Sequence, residues 1–124
     1  MKLNQITVGA TDYQASVDFY TRLGLKQIVA APPRYARFET PECETFSIHL
    51  VDEVRSTTIV YFEVNDVDEF VDGLGLPLTQ EPTDQPWLWR EARLRDPSGN
   101  EICLYHGGQN RRFPPWRLRA PESS

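Results

Sequence analysis

The sequence predicts an α+β fold: two βαβββ modules in tandem, with a curled mixed sheet that forms a ligand cup. Two observations predict it, namely a repeat that runs through most of the chain and the same order of strand and helix signals in each copy. The offset that separates Gln5 from Ile59 also separates Asp12 from Asp66. Because each copy alone is too small to bury a stable core, the copies should share one and face a common cavity.

The length of the chain limits the number of domains, and its charge limits the class of partner. A chain of 124 residues fits one domain. We assign residues 1–106 to a single domain of two modules, about 1–53 and 57–106, and residues 107–124 to a C-terminal arm. The arm is basic, with four arginines against one glutamate, although the whole chain carries a net charge of −5. The acidic body argues against nucleic acid as the main partner and would suit a cationic ligand.

The sequence also bears on compartment. It has no apolar run long enough to span a bilayer, and its polar start lacks the apolar core of a signal peptide. The two cysteines, Cys43 and Cys103, are too few for a disulfide framework, so we expect free thiols in a reducing environment. These features predict a cytoplasmic protein with no membrane partner.

Local signals place the elements of the first module. Apolar and polar residues alternate over 5–10, which predicts a strand. Thr11 and Gln14 match a capping box, so a helix should begin at about Asp12, and Gly24 should end it. Three further strands are predicted, separated by proline-containing turns, at about 25–30, 35–40 and 45–51.

The second module repeats this order. Residues Ile59–Val64 read as a strand, and Asn65 or Asp66 should cap a helix with an apolar face that includes Val67 and Val71. The turn Asp96-Pro-Ser-Gly-Asn100 should join the last two strands, since proline and glycine suit a tight turn. The strands are predicted near 77–80, 88–95 and 100–106.

These residues resemble the vicinal oxygen chelate superfamily, which includes glyoxalase I, fosfomycin- and bleomycin-resistance proteins and extradiol dioxygenases. The resemblance covers about residues 3–106. It rests on Leu23-Gly24-Leu25, on Phe62–Asp66 and above all on the turn at 96–100 before a strand. It implies two βαβββ modules whose sheets curl around a ligand cup, but it does not specify one activity.

The resemblance also implies metal positions early in the first strand and within the last strand of each module. Transferred by the repeat, they fall on Gln5, His49, Ile59 and Cys103. Ile59 cannot ligate a metal, and Cys103 replaces a carboxylate oxygen with a soft sulfur. Gln5, His49 and Cys103 could still hold a divalent metal (zinc, manganese or iron). A cup without a metal is the other hypothesis, which the missing carboxylates favour.

Strand alternation indicates which side chains line the cup. His49 should lie opposite Phe46 and Ile48, and Cys103 opposite Ile102 and Leu104. The predicted ligand-binding residues are Thr7, Tyr61, Trp89, Arg93, Cys103 and Tyr105, and the predicted catalytic residues are His49, Glu63 and Glu91. Structural alternatives stay open: Glu91 and Arg93 could pair across strands, Cys103 could be a small core residue, and His49 could be hydrogen-bonded within the sheet.

We predict a glyoxalase/bleomycin-resistance-like protein that binds a small organic molecule in the cup between its modules, with a degenerate metal site. The alternative is a metal-dependent lyase, isomerase or dioxygenase of the vicinal oxygen chelate type, in which Glu63 or Glu91 transfers a proton. The arm, with Phe113 and Trp116, could close the cup or cross to a second subunit. The resemblance implies a homodimer.

Overall fold

The computed structural model describes residues 1–119. Within this range eight strands and three helices follow one another along the chain. They are β1 (Gln5–Ala10), α1 (Tyr13–Leu23), β2 (Lys26–Ala31), β3 (Tyr35–Glu39), β4 (Thr45–Leu50), β5 (Ile59–Glu63), α2 (Val67–Leu74), β6 (Gln80–Asp84), β7 (Arg90–Arg95), β8 (Glu101–His106) and α3 (Gln109–Arg112).

The strands form two four-stranded sheets with matching topology. The first sheet has the order β1-β4-β3-β2, and the second has the order β5-β8-β7-β6. In the first sheet β1 is parallel to β4, whereas β3 is antiparallel to both β4 and β2. The predicted α+β fold of two βαβββ modules is therefore confirmed.

The chain divides into two compact units. The first consists of Met1–Val60 with Arg95–Ile102, and the second of Tyr61–Leu94 with 103–119. The turn between β7 and β8 thus belongs to the first unit, although sequence order places it in the second module. None of the helices in residues 1–119 combines the length and the apolar character needed to cross a membrane.

Helix α1 begins one residue later than the capping-box prediction requires. The side chain of Asp12, not Thr11, caps it by accepting a 3.0 Å hydrogen bond from the amide of Ala15. The backbone amide of Thr11 instead donates a 2.9 Å hydrogen bond to the hydroxyl oxygen of Ser98. The helix ends as predicted at Gly24, whose φ of 113° is readily adopted only by glycine.

The core of the first unit centres on Tyr20, which is fully buried in α1. Its ring lies 4.4 Å from the ring of Phe46 and 5.9 Å from that of Phe38, measured between centroids. Phe19 packs edge-on against it at 5.0 Å. Such ring contacts add to the area that the aromatic side chains bury, so this cluster fixes α1 against the first sheet.

In the second unit, Asp66 caps α2 by accepting a hydrogen bond from the amide of Glu69. Arg90 on β7 joins α2 to β6, since its guanidinium contacts Asp68 at 2.6 Å and Asp84 at 3.0 Å. The predicted strand near 77–80 was misplaced, because β6 runs from Gln80 to Asp84. It includes Pro82, which an edge strand tolerates because its missing amide faces no partner.

Candidate functional site

The face of the first sheet that lies opposite the aromatic core carries polar residues. Thr7 on β1 and Arg37 on β3 both pair with Ser47 on β4, so the three lie in one row across the sheet. The hydroxyl oxygens of Thr7 and Ser47 are 2.6 Å apart. Because Ser47 is fully buried, this hydrogen bond offsets the cost of removing its hydroxyl from water.

Tyr35 lies two residues before Arg37 on β3, next to this row, and neither residue is among those predicted from the sequence. Nε of Arg37 donates a 2.7 Å hydrogen bond to the hydroxyl of Tyr35, and the guanidinium carbon lies 5.3 Å from the centre of the tyrosine ring. The pKa of Tyr35 is lowered, mainly by a hydrogen bond with Ser47 and also by the hydrogen bond and charge of Arg37. Desolvation raises this pKa but is outweighed. We call Thr7, Tyr35, Arg37 and Ser47 the polar cluster.

The register of the same sheet tests the predicted metal site. Gln5 lies opposite Thr45, whereas His49 lies opposite Gly9. The two predicted ligands are therefore four residues apart along the strands, which is roughly 13 Å at about 3.3 Å per residue. Side chains stand nearly perpendicular to a sheet, so they cannot lean far enough to share one ion. Gln5 and His49 do not fit a common metal centre.

The other predicted residues of the first unit are less constrained. His49 is exposed and lies beside Tyr35 in the sheet. The side-chain oxygen of Gln5 accepts a 2.9 Å hydrogen bond from the hydroxyl of Thr45.

A cavity of about 370 Å³ elsewhere in this unit is lined by none of the predicted site residues. Its lining consists of Lys2, Leu3, Asn4, Glu42, Cys43 and Glu44.

The second sheet presents three aromatic side chains together, which we call the aromatic cluster: Tyr61, Trp89 and Tyr105. The rings of Trp89 and Tyr105 stack with 4.5 Å between centroids and 22° between planes. Tyr61 meets both edge-on, at 6.0 Å from Trp89 and 5.7 Å from Tyr105. Tyr105 is buried, Trp89 is half-buried and Tyr61 is 44% exposed, so the cluster reaches from the interior to the surface.

A buried carboxylate lies two residues from Trp89, near the start of β7. Glu91 is only 1% exposed, and one of its oxygens accepts a 2.7 Å hydrogen bond from the indole of Trp87. Its other oxygen lies 3.4 Å from a guanidinium nitrogen of Arg93. Trp87 and Arg93 therefore contact the two different oxygens of Glu91, and these contacts hold Glu91 in place.

Glu63 contacts the first residues of the C-terminal arm. One carboxylate oxygen accepts hydrogen bonds from the amides of Gly107 and Gly108, both at 2.9 Å. Arg111 lies 4.0 Å from its other oxygen. The indole of Trp89 also donates a 3.4 Å hydrogen bond to the carbonyl of Asn110. The described start of the arm is therefore folded against the second unit through Glu63 and Trp89.

The last strand of the second unit holds Cys103 and Tyr105. Cys103 is completely buried, as expected for a small core residue, and it forms no disulfide with the other described cysteine, Cys43. Burial raises the pKa of Tyr105, and the negative charge of Glu63 acts in the same direction. Ile59 is half-buried on β5. Across residues 1–119, no three histidine, cysteine, aspartate or glutamate side chains are grouped so that they could hold a metal.

Comparison with known proteins identifies the family. The model of the Glyoxalase/Bleomycin resistance protein/Dioxygenase superfamily matches residues 2–104. This chain belongs to that superfamily. The match spans both βαβββ modules and ends within β8, so the resemblance inferred from the sequence is confirmed.

Individual proteins are also similar to this chain in sequence or in fold. The "Uncharacterized protein YraH" of Bacillus subtilis (strain 168) is 31% identical in an alignment of 125 positions that covers 85% of this chain and 98% of that protein. The lactoylglutathione lyase of Agrobacterium tumefaciens superimposes with a TM-score of 0.71 at 19% identity, covering 86% and 93% of the two chains. A bleomycin-binding protein complexed with bleomycin gives a TM-score of 0.70 at 17% identity, covering 87% and 99%.

Superfamily membership leaves the roles of single residues as predictions. At such identities the solved structures support the fold alone. The catalytic roles of His49, Glu63 and Glu91 therefore stay predictions, as does the homodimer. Tyr35 and Arg37 could have been selected from the sequence, because they alternate with the apolar residues Ala36 and Phe38 in a predicted strand.

Proposed function

We propose that this protein binds a small organic molecule with a planar aromatic group, and that the group lies against the aromatic cluster. The observation that carries the proposal is the stack of Trp89 on Tyr105 with Tyr61 edge-on to both. A planar ligand ring can extend such a stack, since offset and edge-on aromatic contacts are favourable beyond the area that they bury.

The exposure of the cluster supports binding rather than simple core packing. Tyr61 is 44% exposed. Trp87, in the turn before Trp89, is 41% exposed. Removing a large aromatic side chain from water releases more hydrophobic free energy than removing a small one. A ligand that covers these side chains therefore binds more favourably. A binding surface with aromatic walls and few fixed polar groups is typical of small-molecule sites.

Glu91 and Arg93 supply the fixed polar groups beside these walls. Trp87 and Arg93 hold the carboxylate of Glu91 from both sides, so its position is set before any ligand arrives. We infer that these side chains orient the ligand. The side chain of Arg93 is 20% exposed whereas that of Glu91 is 1% exposed, so Arg93 is the more accessible of the two to a ligand.

Relatives in the superfamily support binding of a small organic molecule at the level of the fold. One solved structure with the same fold is a bleomycin-binding protein in complex with bleomycin. Transferred to this chain, that function is part of our proposal, and the ligand here need not be bleomycin. The acidic net charge of −5 favours ligands with a positive charge.

The alternative function, a metal-dependent lyase, isomerase or dioxygenase, finds less support in the geometry. The register keeps Gln5 and His49 from binding one ion, and the guanidinium of Arg37 lies on the face that carries both. A fixed positive charge at this place would repel a divalent cation. We therefore derive no catalytic step through a metal.

A thermal-shift screen tests the proposal. The probes are bleomycin and a set of planar aromatic small molecules, measured on the wild type and on Trp89→Leu and Tyr61→Ala, with Trp116→Leu as the matched control. Trp116 is an exposed tryptophan of the arm outside the cluster. Ligand protection should fall in the two cluster variants, with an affinity loss of at least about tenfold, or 1.4 kcal/mol.

Two results would remove the proposal. One is equal protection of the wild type and both cluster variants by every active compound. The other is loss of protection in Trp116→Leu that matches the loss in Trp89→Leu. Including His49→Ala in the same screen tests the separate prediction that His49 contacts the ligand. The metal-dependent alternative needs a separate assay. Each compound that protects the protein is incubated with the protein and zinc, manganese or iron, and chemical conversion of the compound is measured.

A further inference from the structure

We propose that the polar cluster of the first unit is an oxyanion-binding site that takes a carboxylate or phosphate group. The inference goes beyond the aromatic site, because it rests on different residues in the other compact unit. It concerns Thr7, Tyr35, Arg37 and Ser47, with His49 at the margin.

The guanidinium of Arg37 is held ready for an anion. Its Nε donates to the hydroxyl of Tyr35, and its central carbon lies 5.3 Å from the centre of the tyrosine ring. Among the hydrogen bonds of residues 1–119 that involve Arg37, none uses its two terminal nitrogens. Those nitrogens form a planar fork of donors, which is the geometry that binds carboxylate and phosphate oxygens in pairs.

The charge of Arg37 is not neutralised within the described chain. In residues 1–119 it takes part in no ion pair with a carboxylate. Glu39, two residues further along β3 on the same face, forms no ion pair with Arg37 within 4.0 Å. A half-buried arginine without an acidic partner is expected to attract an anion, since burial weakens the screening of its charge.

Hydroxyl groups next to Arg37 add donors. Thr7 is exposed, and its hydroxyl is held in place by a short hydrogen bond with the fully buried Ser47. The hydroxyl of Tyr35 accepts from Arg37 and also interacts with Ser47, so it holds the guanidinium next to Thr7 and Ser47. His49 lies beside Tyr35 in the sheet, is exposed, and can add a ring N–H. One guanidinium fork with several hydroxyls is a donor set suited to an oxyanion and unsuited to a metal cation.

The experiment measures the melting temperature of the full chain in sodium acetate, sodium phosphate and sodium chloride at one constant ionic strength. It compares the wild type with Arg37→Gln and Arg37→Lys. Arg34→Gln is the matched control, because Arg34 is exposed, adjacent in sequence and changes the net charge equally. Chloride and the control variant correct for general salt effects, which phosphate produces in any protein.

The proposal expects acetate or phosphate to stabilise the wild type and Arg34→Gln beyond the effect of chloride. In Arg37→Gln the extra stabilisation should be lost, with an affinity loss of at least about tenfold. Arg37→Lys should keep part of it, since it keeps the charge but loses the fork. Stabilisation by acetate alone identifies a carboxylate site, by phosphate alone a phosphate site, and by both a general oxyanion site.

Two outcomes would overturn this inference: neither anion stabilises the wild type beyond chloride, or Arg37→Gln responds as fully as Arg34→Gln. Failure here is separable from failure of the aromatic site, because Trp89→Leu leaves the polar cluster untouched. That variant should keep the anion response of the wild type.

Discussion

The hydroxyl of Tyr20 donates a 2.6 Å hydrogen bond to Oδ2 of Asp96, 76 positions further along the chain. Both side chains are buried, and Asp96 also accepts hydrogen bonds from the amides of Ser98 and Asn100 and from the side chain of Asn100. The side chain of Asn100 in turn donates to the carbonyl of Gly9. This network attaches the turn between β7 and β8 to the core of the first unit.

Tyr20→Phe should destabilise the protein by about 1.5–3 kcal/mol, because the buried carboxylate of Asp96 loses a donor. Urea denaturation followed by circular dichroism measures the change. Tyr13→Phe is the matched control, since the hydroxyl of Tyr13 only accepts a long 3.3 Å hydrogen bond from Gln27. An equal loss of stability in the two variants would show that the bond to Asp96 has no special weight.

The same hydroxyl predicts how stability depends on alkaline pH. Burial raises the pKa of Tyr20 above its usual value of 10.0, and the nearby charge of Asp96 adds to the effect. Above that value the unfolded chain loses this proton while the folded chain keeps it. The contribution of Tyr20 is therefore complete below pH 10.0 and declines as the pH rises further, by about 1.4 kcal/mol per pH unit.

Denaturation at a series of pH values from about 8 to about 11 measures this slope. The wild type should lose stability over the upper part of the range, and Tyr20→Phe should lose less per pH unit. Parallel curves for the two proteins would contradict the prediction.

Two glycines should respond to alanine in opposite directions. A Cβ at Gly107 would lie 2.9 Å from the indole nitrogen of Trp89, which is too close, whereas a Cβ at Gly73 in α2 would meet nothing within 4 Å. Gly107→Ala should displace the arm or Trp89 and lower stability by about 1–3 kcal/mol. Gly73→Ala should raise it by about 0.4–1 kcal/mol. Thermal melts of both variants check the signs, and a stable Gly107→Ala would show that the arm is not packed on Trp89.

Glu63 should control how firmly the arm is attached. Removing its carboxylate in Glu63→Ala leaves the amides of Gly107 and Gly108 without their acceptor. The loss of about 1 kcal/mol should raise the open fraction of the arm roughly fivefold. Trypsin cleavage after Arg111 and Arg112 measures this fraction, because proteolysis follows the open population. Glu81→Ala, at an exposed position, should cleave at the wild-type rate.

The elements of the fold could be predicted because their signals are local. Gly24 and Gly75 end the two helices in the left-handed conformation, and Asp66 caps α2 as expected. The cap of α1 was misassigned since Thr11 and Asp12 are both good caps. The choice depends on Ser98, which contacts Thr11 across 87 positions of sequence and is not visible locally.

The site could be predicted less completely, because it depends on register and on side-chain conformation. The repeat gave matching positions in the two modules, but the neighbours of a residue in a parallel pair are set by a register that sequence does not show. Thr45, not His49, therefore lies opposite Gln5. Strand alternation shows on which face of the sheet Arg37 lies. It does not show that the guanidinium of Arg37 contacts the ring of Tyr35.

The central claim is that a small aromatic molecule binds against Trp89 and its neighbours. Its most direct test is a nuclear magnetic resonance titration of the indole N–H signals of Trp87, Trp89 and Trp116 with a compound that passes the thermal-shift screen. The account predicts that the signal of Trp89 shifts with saturation while that of Trp116 stays in place. An unchanged Trp89 signal at a ligand concentration that protects the protein would contradict it.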